Sequence, residues 1–370
     1  MQFIDLKAQS ERIESQLFAR FKAIIDRSSY IMGPEVQELE SALASFVGVE
    51  HAFGVSSGTD ALLIALMALG IGPNDEVITS PFSFFATAEV IMLLGAKPVF
   101  VDINPVSYMI EADAIERAIT EKTKAIMPVS LYGQCADFTA INALASRHQL
   151  PVIEDGAQSF GALHHGRHSC ALTTIGCTSF FPSKPLGAYG DAGACFTNDA
   201  ELAQRMQEIR LHGQSARYYH TRLGINGRVD TFQAAVLLEK LNLFSEEIEL
   251  RQAVAARYNA WLPAGVKRPM ISAGNKSVYA QYTIEVADRD RVQQALNERQ
   301  IPTAVHYPLG LHQQPSVQSF LGNANQHLPA TEHAAAMVMS LPMSPYLTEH
   351  DQRLVMDALL EVLADETVVC

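Results

Sequence analysis

Basic residues are scarce in this chain, with 27 Lys and Arg against 40 Asp and Glu among 370 residues and a formal net charge of −13. A protein that binds nucleic acid or an anionic lipid surface along a broad face needs the opposite balance. We therefore expect neither nucleic acid nor a membrane as a partner. Any anionic ligand must be held locally, by a few well-placed donors.

Long apolar runs and a secretory leader are also missing. No stretch approaches the roughly eighteen apolar residues of a membrane-spanning helix, and the mixed-charge start MQFIDLKAQSERIES does not resemble a signal peptide. The cysteines form an odd, scattered set without CxxC spacing. We expect reduced thiols in a cytoplasmic protein at Cys135, Cys170, Cys177, Cys195 and Cys370.

What is present is a long chain, 48% hydrophobic, which is enough for two domains without disulfide bonds. Between about residues 50 and 200, short runs rich in Val, Ile and Phe alternate with helical stretches, as in a mostly parallel sheet flanked by helices. The predicted strands cover 51–55, 76–79, 98–103, 125–131, 151–154, 177–181 and 194–197. The predicted helices between them cover 61–69, 86–94, 111–120 and 138–148.

The alternation of short apolar runs and helical stretches ends near Asp230. A long helical pattern over 231–262 ends before Pro263 and leads into a second unit of α+β character. We therefore predict an α/β large domain over 1–240, which includes the N-terminal segment, and a smaller C-terminal domain over 241–370.

A turn of small residues, SSGTD at 56–60, separates the first predicted strand from an apolar helix. Gly58 lets the backbone approach a ligand closely, and Thr59 or Asp60 can cap the helix. A helix N-terminus after such a turn can cradle a phosphate, although a capped helix without a ligand has the same pattern. The turn is neither GxGxxG nor GxxxxGK[ST], which argues against a nicotinamide oxidoreductase or a P-loop protein.

Two predicted strands end near a carboxylate and a lysine. Asp155 follows the strand at 151–154, and Lys184 follows the strand at 177–181. Ligands of open α/β sheets gather at the carboxyl ends of strands, and a lysine in a partly dry place has a lowered pKa and a nucleophilic amine. Alone, such an acid is usually a turn residue and such a lysine is usually solvated. Together with the phosphate-binding turn, they meet the requirements of pyridoxal phosphate.

The chain resembles the DegT/DnrJ/EryC1/StrS family of sugar aminotransferases. Motifs in the family's order and spacing cover nearly the whole chain: FIDL (3–6), YIMGP (30–34), SGTDAL (57–62), EDGAQ (154–158), SFFPSK (179–184), GDAGA (190–194), GINGR (224–228) and VHYP (305–308). The resemblance implies an aspartate aminotransferase-like architecture, fold type I of the enzymes that use pyridoxal 5'-phosphate.

The resemblance also implies roles for individual residues. Lys184 stands at the lysine that forms a Schiff base with the cofactor, and Asp155 stands at the acid that pairs with the pyridinium nitrogen. Gln158 corresponds to the residue beside the phenolic oxygen of the ring, and Phe84 to an aromatic side chain that stacks on it. Family members that remove a hydroxyl group carry His in place of Lys184, so the resemblance favours an aminotransferase.

The phosphate contacts that the resemblance implies come from two subunits. Gly58, Thr59 and Ser179 correspond to donors within one chain, and Asn226 corresponds to an amide that reaches the phosphate from the neighbouring subunit. The resemblance therefore implies an obligate homodimer with shared active sites.

The branch of the family that the chain resembles most moves the amino group of L-glutamate onto C3 of UDP-2-acetamido-2-deoxy-3-oxo-glucuronate, for bacterial surface polysaccharides such as the O-antigen of lipopolysaccharide. Arg228 can grip the uronate carboxylate, and His306 or Tyr307 can add hydrogen bonds. An ion pair with Asp230 is the alternative role of Arg228. A dTDP-3-oxo- or UDP-4-oxo-6-deoxyhexose is the alternative substrate.

A metal site and a non-catalytic regulator are two other functions that the sequence could suggest. The histidines at 164, 165 and 168 suggest a metal, but no carboxylate or cysteine has ligand spacing to them. We expect a surface hairpin there, with Gly166 in the turn, and no metal site. A non-catalytic regulator that binds pyridoxal phosphate would keep the fold and lose Lys184 or Asp155, and both are present.

Overall fold

The computed structural model describes residues 1–322 and 326–364, which form twelve α-helices and fourteen short strands. The helices are α1 (Leu6–Arg27), α2 (Pro34–Val47), α3 (Gly58–Ala68), α4 (Ala86–Leu93), α5 (Ala112–Ala118), α6 (Phe138–His148), α7 (Ala200–Ile209), α8 (Thr231–Trp261), α9 (Arg289–Glu298), α10 (Pro315–Phe320), α11 (Pro329–Met337) and α12 (Glu349–Ala364). The strands are β1 (His51–Val55), β2 (Glu76–Thr79), β3 (Lys97–Phe100), β4 (Thr123–Met127), β5 (Ile153–Asp155), β6 (Leu163–His164), β7 (Arg167–His168), β8 (Ile175–Ser179), β9 (Gly193–Thr197), β10 (Gln214–Ala216), β11 (Tyr219–His220), β12 (Asn275–Lys276), β13 (Tyr282–Glu285) and β14 (Val338–Leu341).

Seven of these strands form the central sheet, in the order β1-β9-β8-β5-β4-β2-β3. Parallel bridges between Ile126 and Val152 and between Val129 and Asp155 join the two ladders of this sheet. Strand β9 runs antiparallel to both β1 and β8, and the other neighbours are parallel. The α/β class and the mostly parallel sheet are therefore confirmed.

Helices cover both faces of the sheet. Successive residues of β2 belong to different cores, since Val77 packs with α3, α4 and α7, whereas Ile78 packs with α2, α6 and α8. Side chains of a strand alternate between faces, so every position of β2 is buried. This explains why the strands have apolar runs rather than an apolar and polar alternation.

Local signals set the ends of several helices. Helix α2 starts with Pro34 at its first position and ends at Gly48, whose φ of +81° suits a residue without a Cβ. Helix α6 starts after Asp137, whose side chain accepts a hydrogen bond from the backbone N–H of Ala140. Strands β3 and β4 end earlier than predicted, at Phe100 and Met127, because the apolar run continues into the loops beyond them.

A third core lies beyond the middle of α8. It packs the second half of that helix, including Val254 and Tyr258, against β13, β14, α9 and α12. Residue 240, where we place the domain boundary, lies inside α8. The division into 1–240 and 241–370 stays a prediction.

The predicted histidine hairpin forms, and Gly166 turns it with a φ of +78°. His164 is buried, however, because β6 also pairs with β12, and its ring bonds to Thr139 and Asn275. Within residues 1–322 and 326–364, no group of three or more His, Cys, Asp or Glu side chains could hold a metal ion.

The described cysteines are all free and buried, and Cys370 lies outside the described residues. In this part of the chain no helix combines the length and the apolar character that a membrane span requires.

Candidate active site

Asp155 is a buried carboxylate at the end of β5, with 4% of its surface exposed. The hydroxyl of Thr87 on α4 donates to its Oδ2 at 2.8 Å, and the backbone N–H of Ala157 donates to its Oδ1 at 3.2 Å. Burial raises the pKa of Asp155, whereas these hydrogen bonds and the positive charge of Lys184 lower it. The carboxylate is thus held dry and oriented, with both oxygens engaged.

Lys184 lies in the turn after β8, where its backbone N–H donates to the carbonyl oxygen of Phe181 at 2.8 Å. Burial lowers the pKa of the Lys184 amine, and the negative charge of Asp155 opposes that shift. The two side chains that the sequence singled out therefore lie close enough in the folded chain for their charges to interact. An amine with a lowered pKa is a better nucleophile and base near neutral pH.

Gln158 is fixed between two tyrosines. Its Oε1 accepts from the backbone N–H of Tyr132, and its Nε2 donates to the hydroxyl oxygen of Tyr307, both at 2.9 Å. The ring of Phe84 lies 6.4 Å from the ring of Tyr307, and 58% of the Phe84 surface is exposed. An expected substrate residue, Tyr307, therefore lies next to two expected cofactor residues.

His306 is a neutral imidazole beside Lys184. Burial, together with the positive charge of Lys184, lowers the pKa of His306 to about 4. Its Nδ1 lies 3.1 Å from the hydroxyl oxygen of Ser340 on β14. At neutral pH His306 therefore adds no second positive charge next to the lysine.

The turn before α3 differs from the sequence prediction in one respect. Ser57 caps the helix, because its hydroxyl accepts from the backbone N–H of Asp60 at 3.0 Å, so the expected cap at Thr59 or Asp60 is wrong. A Cβ on Gly58 would lie 2.5 Å from the Cβ of Ser179. Only glycine permits this approach, which places three expected phosphate contacts, at 58, 59 and 179, around one helix N-terminus.

The segment with Asn226 and Arg228 lies beside this turn. The carbonyl oxygen of Gly227 accepts from the backbone N–H of Ser56 at 3.1 Å, and Arg228 pairs with Val55 through its backbone. The side chain of Asn226 is exposed. The Nε of Arg228 is buried without a hydrogen-bond partner, and the described residues form no ion pair between Arg228 and Asp230.

Sequence reasoning missed two residues of the site. Thr87, on α4, donates a hydrogen bond to Asp155. It lies three residues after Phe84 in the segment PFSFFAT (81–87), and this closeness in sequence to an expected cofactor residue is the signal that could have identified it. Tyr132 lies in the motif SLYGQC, and its backbone orients Gln158 while its hydroxyl bonds to the carbonyl of His306. Neither residue carries chemistry that a motif alone would assign.

The contact between Thr87 and Asp155 makes a testable prediction. Removing the hydroxyl in Thr87→Val raises the pKa of Asp155, because a donor to the charged form is lost. If Asp155 acts ionised, turnover is lost as the pH falls through that pKa, so the acidic limb of the pH–rate profile moves to higher pH. We expect kcat at neutral pH to fall by about 3- to 10-fold, the equivalent of one hydrogen bond.

Thr87→Ser is the matched control, since it keeps the hydroxyl and should keep the wild-type profile. A Thr87→Val profile that superimposes on the wild-type profile would show that this contact does not tune Asp155.

The sequence is similar to known nucleotide-sugar aminotransferases over nearly its whole length. The model of the DegT/DnrJ/EryC1/StrS aminotransferase family matches residues 11–360. The chain is 54% identical over 360 residues to a UDP-2-acetamido-2-deoxy-3-oxo-D-glucuronate aminotransferase of Pseudomonas aeruginosa, covering 97% of this chain and 99% of that protein. It is 43% identical to a UDP-N-acetyl-3-dehydro-alpha-D-glucosamine 3-aminotransferase of Acidithiobacillus ferrooxidans, covering 94% of this chain and 93% of that protein.

Solved structures are similar over the same length. A DegT DnrJ EryC1 StrS aminotransferase from Brucella abortus superimposes with a TM-score of 0.94 at 44% identity, covering 98% of this chain and 99% of that one. The NtdA protein of Bacillus subtilis, solved with bound cofactor PMP, superimposes with a TM-score of 0.88 at 33% identity, covering 95% of this chain and 82% of that one.

Proposed function

The chain belongs to the DegT/DnrJ/EryC1/StrS aminotransferase family, and from this membership we propose that it transfers the amino group of L-glutamate to C3 of UDP-2-acetamido-2-deoxy-3-oxo-glucuronate. The observation that carries the proposed chemistry is the electrostatic interaction of a buried carboxylate, Asp155, with the Lys184 amine, whose pKa burial lowers. The similarity to the Pseudomonas aeruginosa enzyme over nearly the whole chain supports the choice of substrate.

Pyridoxal phosphate is the cofactor of this enzyme family, and the residues of the site fit it. The absence of a Cβ at Gly58 leaves room where Ser179 approaches the N-terminus of α3, as a phosphate cradle requires. We assign the phosphate to Gly58, Thr59 and Ser179, and the pyridine ring to Asp155. When bound, the cofactor supplies an electron sink that makes the proton next to the amino nitrogen acidic.

The side chains of this chain divide the remaining work. Asp155, held by Thr87, keeps a proton on the ring nitrogen by ion pairing. Lys184 would hold the cofactor through its amine, and its Nζ would take the α-proton of glutamate and return a proton to C3 of the keto sugar. Gln158 would bind the phenolic oxygen of the cofactor, and the ring of Phe84 would stack on its pyridine ring. One site thus serves both halves of a ping-pong reaction.

We assign the sugar side of the pocket to three residues. The guanidinium of Arg228 has a buried Nε without a partner and forms no ion pair among the described residues, which leaves it available to a uronate carboxylate. The charge of Lys184 acts on His306, and Tyr307 bonds to Gln158, so a hydroxyl or carboxylate of a sugar bound near these residues could hydrogen-bond to both.

We further propose an obligate homodimer in which Asn226 of one subunit reaches the phosphate in the other. The exposed side chain of Asn226 lies close in sequence to three apolar side chains that are exposed in the single chain, Tyr218, Tyr219 and Leu223, at 81%, 65% and 87%. Such exposure is typical of a surface that a partner covers. We place this dimer in the cytoplasm, where it makes an amino sugar for surface polysaccharide such as O-antigen.

The proposal is tested with purified protein, pyridoxal phosphate and L-glutamate. We expect a visible absorption band that shifts when glutamate is added, and formation of the 3-amino sugar from the UDP-linked 3-oxo-uronate. A coloured protein that ignores glutamate would instead indicate a binding protein or regulator. Preference for a dTDP-3-oxo- or UDP-4-oxo-6-deoxyhexose would replace the proposed substrate and keep the proposed chemistry.

The assigned role of Arg228 makes a sharper prediction. In Arg228→Met, we expect KM for the uronate to rise by about 10- to 100-fold, the equivalent of charge-assisted hydrogen bonds. KM for UDP-N-acetyl-3-dehydro-glucosamine, which has a hydroxymethyl group in place of the carboxylate, should change little. Equal losses with both sugars would mean that Arg228 supports the fold or the phosphate turn rather than recognising the carboxylate.

A further inference from the structure

Lys240 is a buried lysine on α8 that has no role in the proposed reaction. Only 1% of its surface is exposed. Its Nζ donates to the carbonyl oxygen of Gly187 at 2.7 Å and lies 4.4 Å from the centre of the Tyr189 ring. Among residues 1–322 and 326–364, no carboxylate lies within ion-pair distance of this ammonium.

A buried ammonium without a paired carboxylate is unfavourable, because it gives up its hydration for one carbonyl and one aromatic ring. Burial accordingly lowers the pKa of Lys240 to about 8, against the attraction of Glu247. A methionine of similar length would fill the same space without this penalty. The amine makes a contact that an apolar side chain cannot make, which is the hydrogen bond to the Gly187 carbonyl oxygen.

Both partners of Lys240 belong to the turn that follows Lys184. The same turn is tied to α8 a second time, because the backbone N–H of Tyr189 donates to Oε1 of Gln233 at 2.9 Å. Gln233 precedes Lys240 by about two helical turns, so both side chains lie on one face of the helix. Helix α8 thus holds this turn at two neighbouring points.

We propose that Lys240 is a positioning residue for Lys184, because its ammonium ties the Gly187 carbonyl to α8 and fixes the backbone of the turn from which the Lys184 side chain extends. The inference rests on the proposed role of Lys184. It adds a second lysine that touches neither cofactor nor substrate and acts through the turn.

The test compares Lys240→Met with Lys240→Arg in the full-length protein. Stopped-flow absorbance follows how fast the protein stripped of cofactor captures pyridoxal phosphate, and borohydride reduction with peptide mapping identifies the lysine that holds it. The half-reaction with glutamate alone then gives a rate that needs no sugar. Melting temperatures measure the purely structural effect.

We expect Lys240→Met to slow both capture and the half-reaction by about 10- to 100-fold, as small misplacements of reacting groups do. The glutamate concentration for half-saturation should stay nearly unchanged, and Lys240→Arg, which keeps the cation and a donor, should recover part of the loss. Wild-type rates in Lys240→Met, whatever its melting temperature, would overturn the inference.

If Lys240→Met does not fold, Lys240→Gln takes its place, because its amide stays polar but is shorter and carries no charge. Slower capture by Lys240→Gln supports the inference, and wild-type capture overturns it. Labelling of a residue other than Lys184 in the wild-type protein would contradict the proposed function itself, so the two failures are distinguishable.

Discussion

Replacing Lys184 by alanine is expected to lower turnover by about 10³- to 10⁴-fold, which is the upper range for loss of a positioned acid–base group. The same change removes the amine that anchors the cofactor. The protein should still fold, because Lys184 is only partly buried and its backbone bond to Phe181 does not involve the side chain. Steady-state kinetics and a thermal melt measure the two effects separately.

Borohydride reduction of the wild-type holoenzyme supplies the complementary observation. The cofactor should become attached to the peptide that contains Lys184, and Lys184→Ala should yield no labelled peptide. Lys184→Arg is the matched variant, because it keeps the positive charge near Asp155 and cannot replace the amine as nucleophile. Near-normal turnover in either variant would contradict the assigned role.

Changing Asp155 to asparagine is expected to lower kcat by about 10²- to 10³-fold, the usual loss when one preorganised electrostatic contact to the reacting system is removed. The amide has nearly the same shape but cannot hold a proton on the ring nitrogen. The cofactor should still bind, since Gly58, Thr59, Ser179 and Lys184 are intact. The absorbance of the bound cofactor and the half-reaction with glutamate report the change.

Glu154→Gln is the matched control for Asp155→Asn. Glu154 is the preceding residue of β5, and its side chain points to the opposite face of the sheet. Its oxygens accept from the hydroxyls of Ser130 and Ser169, each at 2.7 Å, and from the backbone N–H of Cys170 at 2.6 Å. The amide there would destabilise the fold by about 1–3 kcal/mol, because an N–H₂ group would face donors. Its spectrum should resemble wild type, and an equal loss of kcat would remove the special role of Asp155.

The parts of the site that the sequence predicts are those set by local chain geometry. Asp155 is the last residue of β5 and Lys184 follows β8, and the carboxyl ends of these neighbouring parallel strands meet at one edge of the sheet. Gly58 is also predicted from local sequence, since it lies in a turn of small residues between a strand and a helix, although the side chain that requires a glycine there, Ser179, is distant in sequence. The order and type of the major elements in the first half follow from the same short-range patterns.

What the sequence does not predict depends on packing between distant segments. Thr87 reaches Asp155 only because α4 crosses the end of β5, and no spacing in the sequence encodes that crossing. Ser57, Thr59 and Asp60 are all good capping residues, and Ser57 is the cap because α3 starts at Gly58. A lysine in a helix is usually exposed to solvent, yet the turn after Lys184 covers Lys240. His164 is buried for the same reason, because β12 pairs with the hairpin from more than a hundred residues away.

The unbroken course of α8 limits how relatives of this chain can differ in length. Near the start of the helix, the hydroxyl of Thr231 accepts a hydrogen bond from the backbone N–H of Gly33. Further along, Phe244 packs in the same core as Ile78, and Tyr258 packs in the third core. One inserted residue would rotate everything beyond it by about 100° and turn one of those faces away. We therefore expect relatives of this chain to carry insertions and deletions in the surrounding loops, and to keep the same number of residues in α8.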